Sequence, residues 1–573
     1  APGSNGQILT SDGTDISWGA AGSGVTFKEG GTNFANSLLV GTDGTGTLNN
    51  ASGNTGVGTG VFGALTTGDQ NVAVGLNALD INTTGSNNIA IGALSLDANT
   101  TGACNVGIGT GALGANIGGS VNTVVGFRAA DSTTTGARNT IFGADAYRCN
   151  TTSSDNTAFG YQALHCNTSG NNNVAVGNAL CKNTTGLYNI GIGSGAASSN
   201  TTGSANVAVG RLALTANTTG SDNVAVGCCA LKTNTTASFN TSVGHDSLKL
   251  NTIGCCNVAV GRRSMDANTE GLCNTAVGAG SLGGNTTGDQ NTAIGAEALA
   301  TNTTANSNTA VGYQTLKLNT TGSNLTAIGA FALDENTTGA SNTALGSSAL
   351  NKNTTGDFNI AVGGNALCTN TTADANTAVG FESLKVNTGA NNTAVGKGAL
   401  TANTTGAANV AVGINSLIAN TTGASNVSIG NAMETNTTGS NNTAAGNGAL
   451  QSNTTASGNT AFGRIALSAN TTGANNTGIG FCALRTNTTA ADNTSVGACS
   501  MCKNTTGHSN VAVGHCALFT NTEGDTNTAV GHHALKLNTT AADNTAIGRN
   551  ALCTTTTGCV NTAMGSSAMQ LNT

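Results

Sequence analysis

The chain has 573 residues and a formal net charge of −7, with 8% charged and 3% aromatic residues, 83 glycines and a single proline, where ordinary globular domains carry about 25% charged residues. These figures do not suit an enzyme built around a large core, and a steady supply of Val, Ile and Thr at low charge does not suit a disordered tail. With 19 Lys and Arg spread along the sequence and a pI near 5.3 there is no basic footprint for nucleic acid, and no apolar run reaches the ~18 residues of a membrane helix.

In chain order, residues 1–36 stand apart. The stretch "QILTSDGTDISW" alternates around Asp12-Gly13, a hairpin signal, and includes Trp18, the one tryptophan. The first residues lack the charged and apolar regions of a signal peptide. With no initiator Met, the expectation is a processed chain or part of a longer one. This segment is expected either to cap the open edge of a following sheet or to attach the chain to a fibre base or to the next molecule.

From Ser37 onward the chain repeats. The Asn of "NVAVG"-type motifs recurs at Asn54, Asn71, Asn88, Asn105, Asn122, Asn139, Asn156 and Asn173 and continues to Asn561. The step is 17 residues, shortened to 16 after Asn173, Asn376 and Asn426, and Leu325 interrupts the Asn column. A fixed period of this kind marks a repeat architecture. The consensus is N-[TV]-A-[VI]-G-x-x-A-L-x-x-N-T-T-G-x-x, and positions below are counted from its first Asn. Two glycines per unit and apolar pieces too short for a 3.6-residue period exclude helix.

Each unit therefore reads as one coil of a parallel β-solenoid of about 31 coils, spanning residues 37–573, with two short strands, "TAVG" and "AL", joined by two turns. Glycines at positions 5 and 15 are expected to supply positive φ. Position 4 (Val or Ile) and position 9 (Leu) are expected to fill the coil. Coils stacked about 4.8 Å apart would give a rod of roughly 150 Å, with identical residues in columns: Asn71 over Asn88, Val74 over Ile91, Gly75 over Gly92, and likewise Leu79, Asn82 and Gly85 with their successors. Asn columns are expected to form amide ladders. Apolar atoms on both strand faces, such as Ala73 beside Val74 and Ala90 beside Ile91, predict burial against other copies, and a closed homotrimer is the expected assembly.

The motifs "NVAVG", "NIAIG" (Asn88 to Gly92) and "NVSIG" (Asn426 to Gly430) resemble the repeats in the heads of YadA-like trimeric autotransporter adhesins. "NTAFGYQAL" (Asn156 to Leu164) and "NTAVGYQTL" (Asn308 to Leu316) resemble repeats of tail-fibre-like proteins of phages, large viruses and bacteria. The resemblance covers residues 37–573 and implies a trimer of left-handed β-rolls. The unit is longer than the usual adhesin repeat. The sequence has no coiled-coil stalk, membrane-anchor barrel or self-cleaving C-terminal chaperone, and it stops mid-coil after "SSAMQLNT".

Little in the chain points to reaction chemistry. The histidines His165, His245, His508, His515, His532 and His533 match no zinc-finger or metalloprotease spacing. The one histidine pair with any metal-binding character is His532–His533, and no metal, cofactor or catalytic residue is expected. G-x-G matches such as Gly107 to Gly109 come from the repeat, and no P-loop or nucleophile elbow occurs. Sixteen cysteines include columns at the repeat spacing, Cys149 with Cys166, Cys256 with Cys273, and Cys482 with Cys499 and Cys516. Disulfide staples of an oxidising exterior and neutral replacement of Ser or Ala are both open readings. N-T-T sequons, as at Asn82, Asn99 and Asn183, are candidate glycosylation acceptors.

The expected function is structural: a homotrimeric fibre or adhesin rod on a virion or cell surface, attaching to a receptor or glycan the sequence does not specify, with neither nucleic acid nor membrane insertion. A polymerising extracellular filament joined end to end is one alternative. An ice-binding solenoid is another, although consecutive Thr-Thr cannot lie on one strand face as T-x-T would.

Overall fold

The computed structural model describes residues 10–11, 15–17, 26–29, 33–41 and 47–571, so the Asp12-Gly13 turn and Trp18 lie outside the described residues. The chain divides into two compact units, Ala1–Gly288 and Asp289–Thr573. Both are built from the same element, a parallel β-solenoid of ~17 residues per turn. The chain holds about 31 such coils, with no helix among the described residues.

In the first unit, Thr10–Ser11, Asp15–Ser17, Thr26–Glu29 and Leu38–Gly41 pair antiparallel in succession. Leu38–Gly41 then opens the parallel run. Leu38 pairs with Thr55, Thr55 with Val72, and the register continues by whole repeats to Val258 with Thr275. In the second unit the same register runs from Thr292–Ile294 to Thr562–Met564. Identical letters therefore stack. The Phe142 and Phe159 rings, one repeat apart, lie parallel with centroids 4.8 Å apart, the spacing of hydrogen-bonded strands.

Two expectations need correcting. From Asn54 onward each coil has one strand, not two: positions 2 to 4 form a three-residue strand such as Thr275–Val277, and the "AL" piece is a tight turn; only the first coil adds a second short strand, Ala51–Ser52, paired with Phe34–Ala35. Leu at position 9 sits there in the left-handed region, as at Leu79 (φ 51) and Leu96 (φ 51), so its backbone cannot continue a strand. The strand faces are also reversed. The coil interior takes the small position 3, so that Ala73, Ala90 and Ala276 are fully buried beside Leu79, Leu96 and Leu282. Position 4 points outward, and Val74 and Ile91 are 36% and 39% exposed. Period-two alternation shows which residues share a face but not which face is inside. Where Leu fills position 9, position 3 is Ala, Gly or Ser, and from Asn54 onward the branched residues buried at position 3 are Val124, whose coil has Ala130 at position 9, and Ile141, beside Tyr147, as a tightly packed interior of fixed width requires.

Hydrogen-bonded ladders do much of what a larger core would do. At position 1, Asn88 donates its amide to Asn71 Oδ1 (3.1 Å) and to Gly102 O (2.9 Å), and its Oδ1 accepts the Asn105 backbone N–H at 2.9 Å. At position 12, Asn99 donates to Asn82 Oδ1 (2.8 Å) and Gly102 O (3.0 Å). Thr hydroxyls at position 13 form a third ladder, Thr83 to Thr100 O at 3.0 Å. Buried amides paired in this way avoid the desolvation penalty that unpaired ones would carry. Leu325 accordingly breaks a working ladder: its N–H still donates to Asn308 Oδ1 at 2.9 Å, but it has no amide to pass on to the next coil.

Departures from the consensus are absorbed locally. Two of the 16-residue coils lack a residue after Gly177 and Gly430, and there φ falls to 85 and 89 from the 125 to 134 of their neighbours Gly193, Gly210, Gly413 and Gly446. Tyr147 replaces the position-9 Leu and is fully buried. Its hydroxyl reaches Ser153 Oγ (2.6 Å) and Asn156 Nδ2 (2.5 Å). Burial pushes its phenol well above the ordinary range.

Candidate functional site

The most extended surface feature is the outward column at position 4. In the first unit it includes Val57, Val74, Ile91, Phe159, Val176 and Ile192, all exposed. In the second it includes Ile294, Ile328, Leu345, Val412, Ile479 and Val513. Position 6 extends the column sideways with exposed Phe127 and Tyr161 in the first unit and Tyr313 and Phe381 in the second. The apolar side chains repeat with every coil, which makes each column a continuous strip within its unit, and strips of this kind on soluble proteins mark interaction surfaces.

The structural columns fall as follows. Asn71, Leu79, Asn82, Gly85 and Asn88 are buried, Gly75 and Gly92 are half-buried, and Val74 and Ile91 are outward. Gly75 and Gly92 take φ of 136 and 133, as the turn reading requires. Gly85 has ordinary backbone geometry, and it is small because an added Cβ would run into Gly102 O and Asn82 Oδ1. The sequons are not presented. Asn82, Asn99 and Asn183 are fully buried, and the Asn183 amide donates to Asn167 Oδ1 at 2.8 Å and Gly186 O at 3.0 Å. The folded coil therefore withholds the nitrogen that a glycan would need.

All sixteen cysteines carry free thiols, Cys149, Cys166, Cys256, Cys273, Cys482, Cys499 and Cys516 among them. The in-register coils do place the predicted partners one above the other. Burial and then the neighbouring Cys166 push the Cys149 thiol up, and burial and then Cys499 do the same for Cys482. A thiol pushed up is a poor nucleophile, so these sulfurs are held protonated and slow to exchange.

Sequence reasoning did not foresee two places where thiols and imidazoles meet. In the first unit the ligand atoms of Cys149, His165 and Cys166 lie within 4.8 Å of one another, with His165 Nδ1 3.4 Å from Cys166 Sγ. In the second, those of His515, Cys516 and His533 are equally close. The signal that could have found them is the stacking rule applied across neighbouring positions: residues 6 and 7, or 10 and 11, of one coil meet the same positions of the next. Compared with known proteins, the chain matches no family model, no curated protein and no solved structure.

Proposed function

We propose that the chain is the repeat segment of a homotrimeric fibre that stands on the outside of a virion or cell and serves attachment. The observation that carries this reading is the outward apolar column. Every coil carries an apolar side chain at position 4, exposed at residues such as Val74 and Ile294 and half-buried at others, where a free-standing coil would gain solubility from a polar one, and association would remove it from water at about 25 cal/mol per Å². Three-fold closure satisfies such a strip without leaving an open, aggregating edge. The likeness of "NTAFGYQAL" and "NVAVG" to tail-fibre-like and YadA-like repeats supports the same assembly, with left-handed coils. The scarcity of charge and the buried Asn ladders suit a part whose task is to keep its shape outside a cell.

Immunogold labelling of intact particles or cells of the source, with antibodies raised against the repeats, tests this reading. Gold is expected on projections from the outer surface. Labelling confined to the interior after permeabilisation would overturn it.

A further inference from the structure

The second unit contains an unusual concentration of ligand chemistry. Three of the chain's six histidines, His515, His532 and His533, fall at positions 6 and 7 of two successive coils; position 7 of the first of these coils holds Cys516, and position 7 of the two coils before it holds Cys499 and Cys482. The backbone fixes their stacking: His533 N–H donates to His515 O (3.1 Å), and Cys516 N–H to Ala498 O (3.1 Å). The His515 and His532 rings stack with centroids 5.3 Å apart, and His532 lies 3.7 Å from His533. His515 Nε2 is 3.7 Å from Cys516 Sγ, and the ligand atoms of His515, Cys516 and His533 lie within 4.8 Å of one another.

We propose that His515, Cys516 and His533 bind a zinc ion through two imidazole nitrogens and one thiolate, with the fourth place left to water. The geometry carries this assignment. A tetrahedral ion with Zn–S of about 2.3 Å and Zn–N of about 2.0–2.1 Å holds neighbouring N and S ligands about 3.6 Å apart, and the His515–Cys516 pair already has that spacing. The ligand set, two borderline nitrogens and a soft sulfur without carboxylate, selects zinc over magnesium or calcium.

On binding, the Cys516 S–H bond breaks, its proton goes to solvent and an S–Zn bond forms without any change of oxidation state. The coil itself does not need these residues, because position 7 elsewhere is filled by Asn77, Asn365, Asn415 and Asn550 in the same left-handed conformation.

That last fact supplies variants that fold. His533→Asn and Cys516→Asn install the residue the repeat uses at this position in other coils. Metal-free protein, kept reduced with a phosphine, is titrated with Co²⁺ and then Zn²⁺, following thiolate-to-cobalt charge transfer and the displacement of cobalt. Wild type is expected to bind with tetrahedral cobalt bands. Cys516→Asn is expected to lose one equivalent together with its share of the charge-transfer absorption. His533→Asn is expected to weaken zinc at this site at least about tenfold. Because Cys149, His165 and Cys166 remain intact in both variants, any metal held there stays as an internal reference. Titrations of both variants that superimpose on wild type, or a wild type without thiolate-to-cobalt absorption, would overturn the assignment.

Discussion

The two corners of a coil are both closed by glycine, yet they obey different physics. At position 5, Gly295 has φ +134 and an added Cβ would run into the carbonyl of Gly312; every coil keeps glycine there. At position 15 the space is just as tight, since a Cβ on Gly339 would meet Gly356 O and Asn336 Oδ1, but the backbone is ordinary. The repeat itself replaces that glycine with Ala237, Ala305, Ala373, Ala456, Ala490 and Ala541. The coils that carry Ala show that the second corner can adjust its backbone to admit a Cβ, whereas a φ open only to glycine cannot be relaxed by neighbours. Conformation, rather than room, makes the first corner invariant.

Substitution at both corners breaks or confirms this comparison. Gly295→Ala is expected to destabilise its coil by about 3 kcal/mol or more, and Gly339→Ala by about 1 kcal/mol or less. Local hydrogen exchange reads both effects, because stability in a repeat array is held between nearest neighbours. Equal losses would remove the distinction. Between the corners, Leu299→Ala empties the filled end of the coil and is expected to cost about 2–5 kcal/mol, visible as a local loss of exchange protection.

Smaller effects sharpen the picture. The Asn342 N–H, which follows Leu325 in the ladder, has no acceptor among the described residues, whereas the Asn359 N–H is held by Asn342 Oδ1 at 2.8 Å. Asn342 is expected to exchange faster than Asn359, and Leu325→Asn to restore its protection; equal rates in wild type would contradict the ladder account. Smallest is a pH effect. Burial raises the carboxyls of Asp97, Asp266 and Asp334, and Asp334 Oδ1 is buried without a hydrogen bond. The folded state then holds the proton more tightly than the unfolded one. Stability falls as pH rises from the ordinary carboxylate range through the raised values. Asp334→Asn is expected to flatten part of that slope in thermal melts between about pH 3 and 7.

The period, the whole-repeat register and the amide ladders were legible because stacking turns identical letters into columns. Facing was not legible. Alternation groups Val74 with Val72 and sets Ala73 apart, but only the width of the coil decides that Ala goes in. The single strand was hidden because Leu rarely adopts φ near +50. Its one sequence trace lies two positions earlier, where Gly60, Gly111, Gly195, Gly280, Gly398 and Gly448 occupy position 7 with φ of 65 to 74. The thiol–imidazole clusters escaped because motif spacings are written along one chain segment, while here the ligands come from successive coils.

The outward facing of position 4 and its use in assembly are tested together by sedimentation equilibrium of wild type and of the triple variant Val395→Asp, Val412→Asp, Ile429→Asp, each run beside a circular dichroism melt. These three side chains are exposed in the single chain. The account predicts a trimeric wild type and a variant that keeps its β signal and melting transition but sediments as a monomer. A variant that unfolds would place the column inside the coil, and a wild type that sediments as a monomer would contradict the assembly.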